Sequence, residues 1–112
     1  MIENAIQIGE KTICNRVVLQ PMEGCDCNTD GSPSELTREK YIRAARSSAG
    51  LIWFEANAVC PEGRTNPRQM MLTKDNLPSF KNLLQEMREI AKKECGISQI
   101  FILQLTHSGR QS

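Results

Sequence analysis

Three short apolar runs, Val17-Val18-Leu19, Leu51-Ile52-Trp53-Phe54 and Ile100-Phe101-Ile102-Leu103, alternate with two stretches of helical periodicity, and this order restricts the fold more than any other feature. Continuous β-branched and aliphatic runs suit strands buried on both faces, as in a parallel sheet covered by helices. Right-handed crossovers place three such strands in parallel with their C-terminal ends at one edge. The fold class expected is α/β: an incomplete (β/α)8 TIM barrel, with an N-terminal hairpin followed by β-α-β-α-β.

Local signals give the boundaries. Ile6 and Ile8 alternate with polar neighbours before Gly9-Glu10-Lys11, so residues 5–13 predict a hairpin capping one end of the sheet. The first buried strand spans 17–20 and stops on Pro21, which has no N–H to donate. A polar loop runs from 21 to about 36. Thr37 is the expected N-cap of a helix whose buried face is Tyr41, Ala44, Ala45 and Ser48 and which Gly50 ends. Residues 51–56 form the second strand and 57–68 a second long loop. Leu77, Phe80, Leu83, Leu84, Met87, Ile90 and Ala91 then make the stripe of a second helix, with Pro78 in its first turn, Glu89 paired to Lys93 and Gly96 at its end. Residues 100–105 are the third strand.

Both strand-to-helix loops are long, and long loops in compact folds are usually functional. They leave the sheet at the edge where Pro21, Ala56 and Gln104 stand side by side, the edge at which α/β folds place ligands. A complete barrel needs roughly 250 residues. The 112 present supply under half, so the chain is expected to be the N-terminal segment of one larger domain.

Composition excludes several partners. Fourteen Lys and Arg against thirteen Asp and Glu give a net charge of +1 with no basic face, which argues against nucleic acid. No run approaches the ~18 apolar residues of a membrane span, and the N-terminus lacks a signal pattern. Five unpaired-looking cysteines suggest reduced thiols in the cytoplasm. Cys25-x-Cys27 has the wrong spacing for structural zinc, and His107 is the only histidine, so no metal site and no hydrolase triad are expected. Glu55, at the end of an apolar strand, is better read as half of an internal salt bridge, with an arginine as candidate partner, than as a catalytic acid. Gly63-Arg64 and Gly109-Arg110 either hold an anionic group or fix loops. No Gly-x-Gly-x-x-Gly or Walker motif is present.

The strings NRVVLQPM (15–22), LIWFEANAV with PEGR (51–64) and QLTHSGRQ (104–111) resemble the old yellow enzyme family of NADH:flavin oxidoreductases and FMN-dependent ene-reductases. The resemblance runs nearly end to end. It implies a flavoprotein β/α barrel holding FMN at its C-terminal strand ends, with NADH or NADPH as reductant and an electrophilic alkene as the small-molecule substrate. Hydride passes in two half-steps, from nicotinamide to flavin N5 and from N5 to the alkene. In the family pattern Pro21 and Met22 line the isoalloxazine, Ala56 abuts it and Gln104 hydrogen-bonds its pyrimidine edge, an amide offering both donor and acceptor.

Glu23, counted with these four among the cofactor-binding residues, stands where the family often has Thr or Cys, so it is turned away, protonated or lowering the flavin potential. Cys25 replaces a substrate-contacting tyrosine of some members. The catalytic residues and the phosphate loops are implied to lie C-terminal to residue 112, making the chain alone inactive. The alternative is a stable β/α fragment that self-associates or pairs with the rest of the barrel.

Overall fold

The computed structural model describes residues 1–109. Strands β1 (Ile6–Ile8) and β2 (Lys11–Ile13) form the expected hairpin, in register Ile6 to Ile13, with Gly9 at φ 61° in its turn. The main sheet has order β3-β4-β5, from β3 (Val18–Leu19), β4 (Leu51–Ala58) and β5 (Ile100–Thr106), and both pairings are parallel. Helices α1 (Glu35–Arg46) and α2 (Leu77–Ile90) make the two crossovers.

The hairpin is tied to the N-terminal end of the sheet. Asn15 Oδ1 accepts from Gly50 N at 2.8 Å and Val17 N at 3.0 Å, while its Nδ2 donates to Ser48 O at 2.8 Å. A Cβ on Gly50 would come within 2.7 Å of Asn15 Oδ1 and 2.8 Å of Ile13 Cγ2, so the glycine serves close approach here. The C-terminal edge is left to the two long loops.

Several expectations are corrected. Ser34, not Thr37, is the N-cap of α1: its hydroxyl accepts from Thr37 N at 3.2 Å. The helix ends at Arg46, with Ser47 as C-cap and Ser48 left-handed at φ 65°, so Ser48 points to solvent and leaves the predicted face. The buried set is Thr37, Tyr41, Ile42, Ala44 and Ala45. Val17, Val18 and Leu19 are 38 to 49% exposed rather than buried, because β3 is an edge strand paired only with β4. Helix α2 continues into a π-turn (Ala91–Cys95) before Gly96 closes it at φ 68°. The wider turn rotates Lys93 out of register. Among the described residues no Glu89–Lys93 pair forms; Glu89 accepts from Gln85, and Glu94 pairs with Arg46.

The core lies between sheet and helices. Tyr41 stacks on Phe54 with centroids 4.4 Å apart, and Phe101 meets Phe54 edge-on at 5.7 Å. Ile52, Met70, Leu83 and Met87 complete it. No helix of the described residues is long and apolar enough to cross a membrane.

Ser48 holds a conformation that costs a side chain about 1 kcal/mol and that glycine adopts freely, and among the described residues its hydroxyl makes no hydrogen bond that offsets the strain. Ser48→Gly should therefore stabilise the protein by about 0.5 to 1 kcal/mol. Urea unfolding measures this; unchanged or lower stability would show that the turn is not strained.

Candidate functional site

Strand β4 contains one extra residue. Trp53 pairs with Ile102 and Ala56 with Gln104, so three steps along β4 match two along β5. Without this bulge, strict alternation would put Ala56 on the face opposite Trp53. With it, Phe54 and Glu55 both turn into the protein, at 2% and 0% exposure, and Ala56 returns to the face it shares with Gln104. β4 also runs two residues beyond the predicted end, to Ala58.

Glu55 is bound from three directions. Lys40 Nζ donates to Oε1 at 2.7 Å, Tyr41 OH donates to Oε1 at 3.0 Å, and the Gly24 amide donates to Oε2 at 3.3 Å. The Glu55 amide returns a hydrogen bond to Tyr41 OH at 3.0 Å. The internal salt bridge is present, but its cation is a lysine from α1 rather than an arginine. Lys40 also reaches Asp26 Oδ2 at 3.2 Å, and Asp26 Oδ1 accepts from Thr37 Oγ1 at 2.8 Å. Ligand atoms of Asp26, Cys27 and Glu55 lie within 4.8 Å of one another, and the cation they face is the Lys40 ammonium.

The two long loops interlock above this network. Cys27 N donates to Arg68 O at 3.1 Å and Met71 N to Gly31 O at 3.0 Å. Arg64 donates to three carbonyls, those of Thr29 at 2.7 Å, Pro67 at 2.6 Å and Gln69 at 2.7 Å, which settles its role as a loop fastener. Gly63 lies against the His107 ring, where a Cβ would come within 2.8 Å of Cδ2, and Ser108 N donates to Gly63 O at 2.9 Å. Arg110 lies outside the described residues.

Of the expected site residues, Ala56 and Gln104 are direct neighbours on one sheet face. Among the described residues the Gln104 amide has no hydrogen-bond partner, so its donor and acceptor are both unengaged. Pro21 and the exposed Met22 leave the sheet from the adjoining β3 and line a concavity of about 440 Å³ along its free edge, together with Leu19, Tyr41 and Trp53. Neither Ala56 nor Gln104 borders that concavity. Glu23 turns to the second loop, its Oε1 accepting from Thr65 Oγ1 at 2.8 Å. Cys25, left-handed at φ 52°, accepts through Sγ from Asn66 Nδ2.

The family model described as NADH:flavin oxidoreductase / NADH oxidase matches residues 4–112. The chain belongs to this family. NADPH dehydrogenase of Bacillus subtilis (strain 168) is 32% identical over 111 residues, which cover 96% of this chain and 30% of that protein. NADH oxidase of Thermoanaerobacter brockii is 32% identical over 108 residues, 95% of this chain and 16% of the relative. Among solved structures, morphinone reductase superposes with a TM-score of 0.79 at 26% identity, covering 99% of this chain and 27% of its own. The old yellow enzyme from Trypanosoma cruzi does so with a TM-score of 0.73 at 26%, covering 99% and 28%. The chain thus spans under a third of the length of these relatives. The order of strands and helices is that of part of the family's β/α barrel, as expected.

Within this family member, sequence patterns missed the polar side chains that hold the strand ends. Gln69 is 1% exposed and its Nε2 donates to Ala56 O at 3.3 Å; Asn57, fully buried, accepts from Leu72 N at 3.1 Å; Asn76 donates to Asp30 O and Met71 O. A polar residue in a loop or at a strand end carries no periodicity that would announce its burial.

Glu55→Gln retains shape but leaves Lys40 with Asp26 alone. Breaking a buried pair costs a few kcal/mol, and Lys40 is one-third exposed, so the discounted loss expected is about 2 kcal/mol. Adding Lys40→Met should recover part of it. Chemical denaturation of the single and double variants tests this; additive losses would show that the pair is uncoupled.

Burial pushes the Cys27 thiol up from 9.0 to about 11, with Glu55 and Asp26 adding to the effect against the Thr37 hydrogen bond and Lys40. Burial, then Glu55, raises the Tyr41 phenol as well. Burial works against the Lys40 ammonium, but Glu55 and Asp26 outweigh it and hold it above its ordinary value. All three groups bind their proton more tightly folded than unfolded. Their contribution is therefore complete below the unfolded pKa values and is lost as pH rises. For Cys27 the window is pH 9.0 to about 11, with a slope of about 1.4 kcal/mol per pH unit. Cys27→Ala should remove that part of the slope in denaturation measured from pH 8 to 11; an identical slope in both proteins would overturn the assignment.

Proposed function

We propose that residues 1–112 form part of a single FMN-binding β/α-barrel domain of an NAD(P)H-dependent oxidoreductase acting on electrophilic alkenes. The observation that carries this reading is the bulge-dependent pairing of Ala56 with Gln104, which leaves an unengaged amide beside a small side chain on one face. Such a pair suits a flat imide: Gln104 offers a donor and an acceptor to alternating N–H and carbonyl groups, and Ala56 leaves room for a ring. Pro21 and Met22 would supply the adjoining wall.

When bound, FMN supplies the hydride chemistry, taking the hydride from NADH or NADPH. This chain's residues orient it: Gln104 would fix its pyrimidine edge, and the interlocked loops would keep the strand ends in place. The substrate-activating groups and the phosphate site are assigned to other parts of the intact enzyme, so residues 1–112 by themselves are inactive in alkene reduction in this reading. Val18, Leu19, Leu103 and Leu105 are exposed at the two sheet edges, which supports their being covered by the remaining β/α units or by self-association. The buried thiol of Cys27 fits a reducing, cytoplasmic setting.

Titration with FMN, followed by flavin fluorescence, tests the reading. The intact enzyme should take up FMN, Gln104→Leu should weaken binding about tenfold through loss of about 1.4 kcal/mol of hydrogen bonding, and Ala56→Leu should weaken it at least as much by displacing the ring. Absence of FMN uptake, or full affinity in both variants, would sink the proposal.

A further inference from the structure

Gln69 lies in the second loop, yet it is 1% exposed and every polar atom of its amide is engaged. Nε2 donates to Ala56 O at 3.3 Å on β4 and to Thr106 Oγ1 at 3.4 Å on β5. Oε1 accepts from Thr65 N at 2.7 Å. A backbone N–H can only donate, so this contact fixes which end of the amide is oxygen.

Thr65 extends the chain to the first loop. Its hydroxyl lies 2.8 Å from Glu23 Oε1 and 3.3 Å from Gln69 Oε1, and it receives Asn66 Nδ2 at 3.3 Å. The hydroxyl has one proton, and the shorter contact to a carboxylate takes it. Gln69 Oε1 is already satisfied by the Thr65 amide. One continuous set of hydrogen bonds therefore runs from the Ala56 carbonyl and Thr106 through Gln69 and Thr65 to Glu23.

We infer that Gln69 and Thr65 are positioning residues for the strand-end surface, holding Ala56 against β5 and keeping the Glu23 carboxylate docked on the second loop, away from the face shared by Ala56 and Gln104. The inference rests on the FMN reading above for its consequence, not for its geometry. Glu23 directly follows Met22, and a carboxylate released toward that face would oppose the negative charge that reduced FMN carries. The hydrogen bond from Thr65 Oγ1 holds the carboxylate on the second loop.

Two measurements test it. The first is amide hydrogen exchange of the 112-residue chain without FMN: Gln69→Leu and Thr65→Val should each raise exchange of the Gly24 amide, which donates to Glu55 Oε2, about tenfold, while Thr65→Ser should not. The second is the ratio of reduced-FMN to oxidised-FMN affinity of the intact enzyme. Thr65→Val should lower it about tenfold, Thr65→Ser should keep it, and adding Glu23→Gln to Thr65→Val should restore it, which a purely structural loss would not allow. Unchanged exchange in both variants overturns the docking. A ratio that Thr65→Val leaves unaltered, or that Glu23→Gln fails to restore, overturns the electrostatic role. If the unsubstituted intact enzyme takes up no FMN, the flavin reading fails and the exchange result alone decides the positioning role.

Discussion

The interaction on which the rest of the structure depends is the buried carboxylate of Glu55. A carboxylate withdrawn fully from water is strongly destabilising unless its charge is matched and its oxygens are hydrogen-bonded. Lys40 supplies the charge, and Tyr41 and Gly24 supply donors, so α1, β4 and the first loop are all required to meet at one point. Nonpolar packing alone would allow α1 to slide on the sheet. The ion pair does not, because a displacement of a few ångströms leaves the fully buried Glu55 carboxylate without its matching charge.

Glu55 is inside only because β4 is bulged. The extra residue spends two consecutive side chains, Phe54 and Glu55, on the helical side of the sheet, and shifts the parity of all that follows. Ala56 and Gln104 then face the same way. The element that stabilises the fold and the element that builds the candidate site are thus one irregularity: regularising the strand would expose Glu55 and turn Ala56 away from Gln104 together.

This explains why some features were legible in the sequence and others were not. Three apolar runs, the stripe of α2 and the hairpin are periodic signals, and each predicted element is present. Ala56 and Gln104 were placed together from topology and family resemblance, but the bulge that aligns them has no residue signature, since neither Phe54 nor Glu55 is a glycine. Thr37 as a helix cap is a local misassignment: Ser34 has the same chemistry three residues earlier, and Thr37 is used instead by Asp26 and Cys27, eleven and ten residues back in the chain. The exposure of Val17, Val18 and Leu19 reflects what lies beside β3, which a strand's own composition does not report.

The loops follow a different logic from the strands. Their order comes from buried amides and one guanidinium, Gln69, Asn57, Asn76 and Arg64, each of which satisfies backbone groups that no ladder reaches. Such side chains make many polar contacts per residue and tolerate little change in geometry, because a shift of one carbonyl leaves a buried donor unpaired. A surface held in this way is ordered before any ligand arrives. For a site whose proposed ligand is a rigid planar ring, that matters more than additional contact area: the ordering entropy of two long loops is met during folding, so it is not charged against binding.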